Sequence, residues 1–128
     1  MYKKIGLGAC LLLTLSQGAL AQDEQVIEVV PLTVSVENRT EDNGSRQRFT
    51  GCLAGLPAGT VSLAGCNPDF IMFGCDGSAG ISKSAANIAF NNANLAFVAE
   101  LPLKARVTRL VNADGLCLAV NSQVTRLP

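Results

Sequence analysis

Four cysteines, at 52, 66, 75 and 117, constrain this chain more than any other feature, because they come with an export signal. Lys3 and Lys4 form a short basic lead, Ile5 to Leu15 is an apolar run, and Ala19-Leu20-Ala21 has the small-x-small form read by signal peptidase. Cleavage is expected between Ala21 and Gln22. The run is shorter than the roughly 20 residues needed to span a bilayer, so it reads as a leader and not as a membrane helix. Leu7-Gly8-Ala9-Cys10 has the form of a lipoprotein box, but most of the apolar run lies after Cys10, which favours the later site. Export delivers thiols to an oxidising compartment, and an even cysteine count in a small exported chain reads as two disulfides.

The expected product, residues 22–128, has the length of a single domain. Removal of the leader takes two lysines and no acid from a balanced chain, so the product is mildly acidic. Without a basic excess, nucleic acid is an unfavourable partner. The chain has no histidine and no tryptophan, and its one tyrosine, Tyr2, lies in the leader. Ser-His and Cys-His nucleophile pairs, an imidazole base and His-ligated metals are therefore excluded. Asp69, Asp76, Glu100 and Asp114 could supply a carboxylate pair, but each sits at an expected element boundary or turn, where carboxylates are normally solvated. The sequence thus predicts no catalytic residue, no metal ligand and no cofactor. With no second long apolar segment, the product is expected to be free in the periplasm or outside the cell.

Four cysteines allow three pairings. Joining neighbours along the chain gives Cys52–Cys66, within the glycine-rich region, and Cys75–Cys117, which would enclose the main helix. No C-x-x-C spacing occurs, so these cysteines read as structural and not as a redox pair or zinc site.

Hydropathy patterning gives the rest of the fold. Val26 to Val36 is β-branched and partly alternating, with Pro31 marking an edge, bulge or break. Short strands fit at Arg48–Ala54, Thr60–Ala64 and Asp69–Gly74, the last apolar enough to be covered on both faces. A helix is expected over about 83–100, with Ser82 as N-cap and Pro102 as stop. Its apolar side combines Ala85, Ile88, Leu95 and Ala99 with Ala86, Ala89, Phe90, Ala93, Ala96 and Phe97, over about half the circumference. Asn87, Asn91 and Asn94 fall on the other side, as a solvated face or a polar contact surface. Lys104 to Val111 alternates again, and Asn112-Ala113-Asp114-Gly115 reads as a hairpin turn before a return strand from Leu116. The order predicts an α+β domain: a small antiparallel sheet or partly open barrel with one packed amphipathic helix and two disulfides.

Strands, a disulfide-tied helix and a last hairpin, in that order, resemble a compact oligonucleotide/oligosaccharide-binding (OB) barrel. More narrowly, the chain resembles the secreted B subunits of bacterial AB-type toxins. The segments Phe73-Gly74-Cys75, Ser82-Lys83-Ser84, Ala93-Asn94-Leu95-Ala96, Lys104-Ala105-Arg106-Val107 and Gly115-Leu116-Cys117 also look like small exported gammaproteobacterial proteins of unassigned activity. The toxin resemblance implies a glycan-binding subunit in a ring, with the helix facing a central pore. No receptor-binding residue transfers to this chain, and it lacks the Trp and Tyr platforms on which sugars usually stack. The residues by themselves favour a non-enzymatic exported binding module acting on a protein or surface partner, with an oligomer permitted.

Overall fold

The structure, a computed structural model, describes residues 22–37, 51–77, 79–112 and 114–126. The leader, Ala21 of the expected cleavage site and the charged stretch 38–50 lie outside them. The described elements run β1 (Glu24–Val29), β2 (Thr33–Glu37), β3 (Gly51–Gly55), β4 (Phe70–Phe73), α1 (Lys83–Ala99), β5 (Leu103–Val111) and β6 (Cys117–Val124). The strands form one sheet of order β1-β5-β6-β4-β3-β2. Every pairing is antiparallel except β4 with β6. The expected α+β class, with one helix on a mostly antiparallel open sheet, is what the chain adopts.

Pro31 explains the shape of that sheet. It has no N–H to give to a ladder, and the β-branched run breaks there into two strands. Those strands occupy opposite edges of the sheet, yet only residues 30–32 join them. A connection of that length spans at most about 14 Å. Six flat strands at roughly 4.8 Å spacing would hold their edges about 24 Å apart. The sheet must therefore curl strongly toward closure, and the buried Pro31 sits where its edges approach.

Inside the curl lies the main core. Ile27 of β1, Cys52 and Ala54 of β3, Ile71 and Phe73 of β4, Leu103, Ala105 and Val107 of β5, and Cys117 and Ala119 of β6 all contribute to it. The helix closes it with Ala89, Phe90, Ala93 and Ala96, the Phe90 ring meeting Phe73 at a centroid distance of 5.7 Å. Ser82 caps the helix by accepting the Ala85 N–H at 3.2 Å, and Glu100 ends it in the left-handed region two residues before Pro102. Two hydrogen bonds tie the helix to β6. The Ser122 hydroxyl donates to the Ala89 carbonyl at 2.6 Å, and the Asn92 amide donates to the Ser122 carbonyl at 2.9 Å.

Three expectations need correction. First, the buried side of α1 is narrower than half the circumference. Ala86, Ala89, Phe90, Ala93 and Ala96 are buried, whereas Ala85, Ile88, Leu95, Phe97 and Ala99 are exposed. A helix resting on one sheet, with no described element above it, buries only the stripe that touches the sheet. Second, Thr60–Ala64 is not a strand. Residues 56–69 form an irregular loop that turns at Gly59 and Gly65, both at positive φ, and drops Val61 and Leu63 into the core.

Third, the disulfides are Cys52–Cys75 and Cys66–Cys117, in place of Cys52–Cys66 and Cys75–Cys117. The neighbour of β3 is β4, with Cys52 opposite Phe73, so the chain leaving β4 carries Cys75 to Cys52. The loop holding Cys66 lies instead along the last hairpin, where the Asn67 N–H donates to the Gly115 carbonyl at 2.7 Å, beside Cys117. Nearness along the chain is a poor guide when an irregular loop replaces an expected strand.

Candidate functional site

The outer surface of the curled sheet has two different halves. On the β3–β4 side a second apolar cluster lies outside the sheet, built from Leu53, Met72, Leu116 and Leu118. Ala79 and Ile81, from the segment between β4 and the helix, pack against it together with Val120. Strands β3 and β4 are thus covered on both faces, as the unbroken apolar run Phe70-Ile71-Met72-Phe73 predicts.

On the β1-β5-β6 side the outer face is bare. Strand β5 alternates, with Leu103, Ala105 and Val107 buried and Lys104 and Arg106 outward. Antiparallel pairing sets these residues in two cross-strand rows: Glu28, Lys104 and Gln123, then Val26, Arg106 and Asn121. Between them is a depression of about 330 Å³, lined by Val26, Lys104, Arg106, Asn121 and Gln123, with Ala105 and Ser122 at its floor. A bulge shapes it. Arg106 is opposite Asn121 but Val107 is opposite Ala119, so Val120 is the extra residue on β6. There the Asn121 side-chain oxygen accepts the Arg106 backbone N–H at 3.2 Å.

The charges around the depression are only partly committed. The Arg106 guanidinium lies 3.9 Å from Glu24, both side chains about half exposed, a geometry worth roughly 0.2–1 kcal/mol. Glu28 accepts a hydrogen bond from the Thr125 hydroxyl at 2.9 Å. Lys104 is exposed and makes no ion pair among the described residues. Chemically, the face offers an ammonium, a guanidinium and two carboxamides around a shallow floor of strand backbone at Ala105 and Ser122. That set recognises carboxylates, carbonyls or hydroxyls by hydrogen bonding. It contains no nucleophile paired with a base.

The expected polar row on the helix is only partly assembled. Asn87 and Asn91 are exposed, but Asn94 is partly buried, and the Asn87 amide is turned back onto the Lys83 carbonyl at 2.7 Å. The asparagine that reaches across to the sheet is Asn92. Gln25, which the sequence does not single out, and Asn112, the first residue of the expected hairpin turn, hold the surroundings in place. The Gln25 amide donates to the Thr60 carbonyl, and its oxygen accepts the Ser62 N–H at 2.8 Å, pinning the irregular loop to β1. The buried Asn112 side-chain oxygen accepts the Asp114 and Leu116 N–H groups and shapes the last hairpin. An Asn opening a turn is the signal for Asn112; Gln25 closes the polar run Gln22-Asp23-Glu24-Gln25, which reads as a lead-in and gives no such signal.

Of the carboxylates weighed for catalysis, Asp69 accepts the Gly59 N–H at 2.9 Å and so shapes the loop. Among the described residues, no three His, Cys, Asp or Glu side chains gather as a metal set, and no helix is long and apolar enough to cross a membrane. The two disulfides are consistent with an oxidising, exported location. Comparison with protein-family models, with curated proteins and with solved structures finds no match to this chain.

Proposed function

We propose that this chain is a non-enzymatic exported binding module built as an OB-like barrel, which contacts a protein or surface partner through the outer face of β1, β5 and β6. The element order supports the barrel. A strand bent at Pro31 pairs with β5 through its first half and with β3 through its second, β4 runs parallel to β6, and the helix falls between β4 and β5. That order supports a Greek-key OB arrangement in which β1 and β2 act as one strand.

The observation that carries the binding role is the asymmetry of the outer surface. OB barrels commonly bind on the face that here corresponds to β3 and β4, and in this chain Ala79, Ile81 and Leu116 cover that face with apolar packing. The polar outer face left bare is the one bearing Lys104, Arg106, Asn121 and Gln123. A photo-crosslinking residue placed at Gln123, in the exported protein in its own cells, should trap a discrete partner. The same residue at Ala58, in the irregular loop, should not. Equal trapping at both positions would remove the assignment of this face. Hits on a glycan array that depend on Lys104 would favour the glycan-binding reading over a protein partner.

A further inference from the structure

Lys104 stands across from a carboxylate and does not pair with it. Glu28 is its direct neighbour on β1. The Asp23 carbonyl accepts the Arg109 N–H at 3.0 Å, so alternation along the ladder makes Glu28 and Lys104 a non-hydrogen-bonded pair, the type that brings side chains closest. Glu28 instead takes the Thr125 hydroxyl at 2.9 Å. Arg106 follows two residues along the same face, about 7 Å from Lys104 at Cα, and its guanidinium is 3.9 Å from Glu24, too far for a hydrogen bond. Both cations therefore border the depression with donors to spare. Beside them on β6, Asn121 gives its oxygen to the Arg106 N–H and keeps its amide donors, while the Gln123 side chain makes no hydrogen bond among the described residues.

An ammonium and a guanidinium on one strand match a carboxylate, and a carboxamide has the donor and acceptor of a peptide group. We infer that the depression takes a single Asp or Glu side chain of a protein partner. Its carboxylate sits between Lys104 and Arg106, and the peptide groups beside it meet Asn121 and Gln123. This rests on the outer face of β1, β5 and β6 being the contact surface, and names what that face reads. Glu24 and Glu28 restrict the reading to one acid. They lie on β1, on the far side of the cations from β6, and balance the charge of the face. A polyanion would bring further negative charges against them, and a neutral segment would leave both cations with nothing to hold.

Nuclear magnetic resonance titration of the oxidised protein tests this with a capped pentapeptide carrying one central Asp among Gly and Ser, beside its twin with Asn and a capped tetra-aspartate. The side-chain amide signals of Asn121 and Gln123 should shift with the Asp peptide, and the Asn twin should bind about tenfold more weakly. Lys104→Met and Arg106→Met should each weaken the Asp peptide about tenfold and leave the Asn twin unchanged, a split that a structural role would not produce. In cells, the crosslink from position 123 should map within a few residues of an Asp or Glu of the partner, and changing that acid to its amide should reduce trapping. Equal binding of the two pentapeptides, tighter binding of the tetra-aspartate, or an adduct on a segment without an acid would overturn the inference and leave the face as the contact surface. No adduct from the parent protein would remove the face itself, and the inference with it.

Discussion

The two halves of the sheet use the same strand geometry to opposite ends. In β4 the run Ile71-Met72-Phe73 is buried at every position, and β3 beside it is buried throughout. In β5 the run Leu103-Lys104-Ala105-Arg106-Val107 alternates strictly between buried and exposed. Continuous hydrophobicity leads to cover on both faces, and alternation leads to cover on one. The first half is fixed in place by packing and by both disulfides, which tie β3 to the chain leaving β4 and the irregular loop to β6. The second half keeps an unpacked polar face and is therefore free to carry function. In the proposed function, stability and contact fall to different parts of one sheet, with β6 contributing Leu118 to the first and Asn121 and Gln123 to the second.

Substitutions can break this contrast, and the largest effects are expected where the covered half meets the helix. Ala93 is fully buried between α1 and the sheet, so Ala93→Arg places an uncompensated charge in the core and should prevent folding. Far-ultraviolet circular dichroism and a lost urea transition would show this; a cooperative transition near that of the parent would mean that the helix does not lie on that side. Met72→Ala and Val26→Ala compare two outward-facing positions directly. Met72 is buried in the outer cluster and should cost about 2–5 kcal/mol in urea denaturation. Val26 is 59% exposed and should cost less than about 0.5 kcal/mol. Similar costs would erase the distinction between the halves.

Removing the longer cross-link with Cys66→Ala and Cys117→Ala should cost about 2–5 kcal/mol, because it closes the loop that contains the helix. Peptide mapping without reduction checks the pairing itself: a Cys52 peptide joined to Cys66 would restore the neighbour-to-neighbour arrangement. A smaller effect is expected from Gln25→Ala, about 0.5–1 kcal/mol, since it removes the hydrogen bonds to Thr60 and Ser62 while leaving the exposed Ser62 N–H open to water. Hydrogen exchange confined to residues 58–64 would locate that loss; unchanged exchange there would show that the loop is held by Val61 and Leu63 alone.

These contrasts also mark what could be read from the amino-acid order. Alternation in Lys104–Val111, the unbroken apolar run at 70–73 and the Ser82 cap are local signals, and each matches the element formed. The disulfide pairing depended on which strands are neighbours, a non-local property. It was misread because Thr60–Ala64 looks like a strand when it is a loop anchored by Val61 and Leu63. The helix face was read too wide because periodicity reports which residues are apolar, and only the sheet determines how much of that side is covered. The bare face of β1, β5 and β6 was hidden for a related reason. Lys104, Arg106, Asn121 and Gln123 come from two separate segments, and only the cross-strand register puts them side by side.

The central claim is that this bare face makes the contact while the covered half supplies the stability. The double variant Lys104→Glu with Arg106→Glu tests it most directly, with melting temperature and partner trapping from position 123 measured on the same preparation. The account predicts a melting temperature within a few degrees of the parent and loss of the trapped partner. Undiminished trapping by a folded double variant would contradict it.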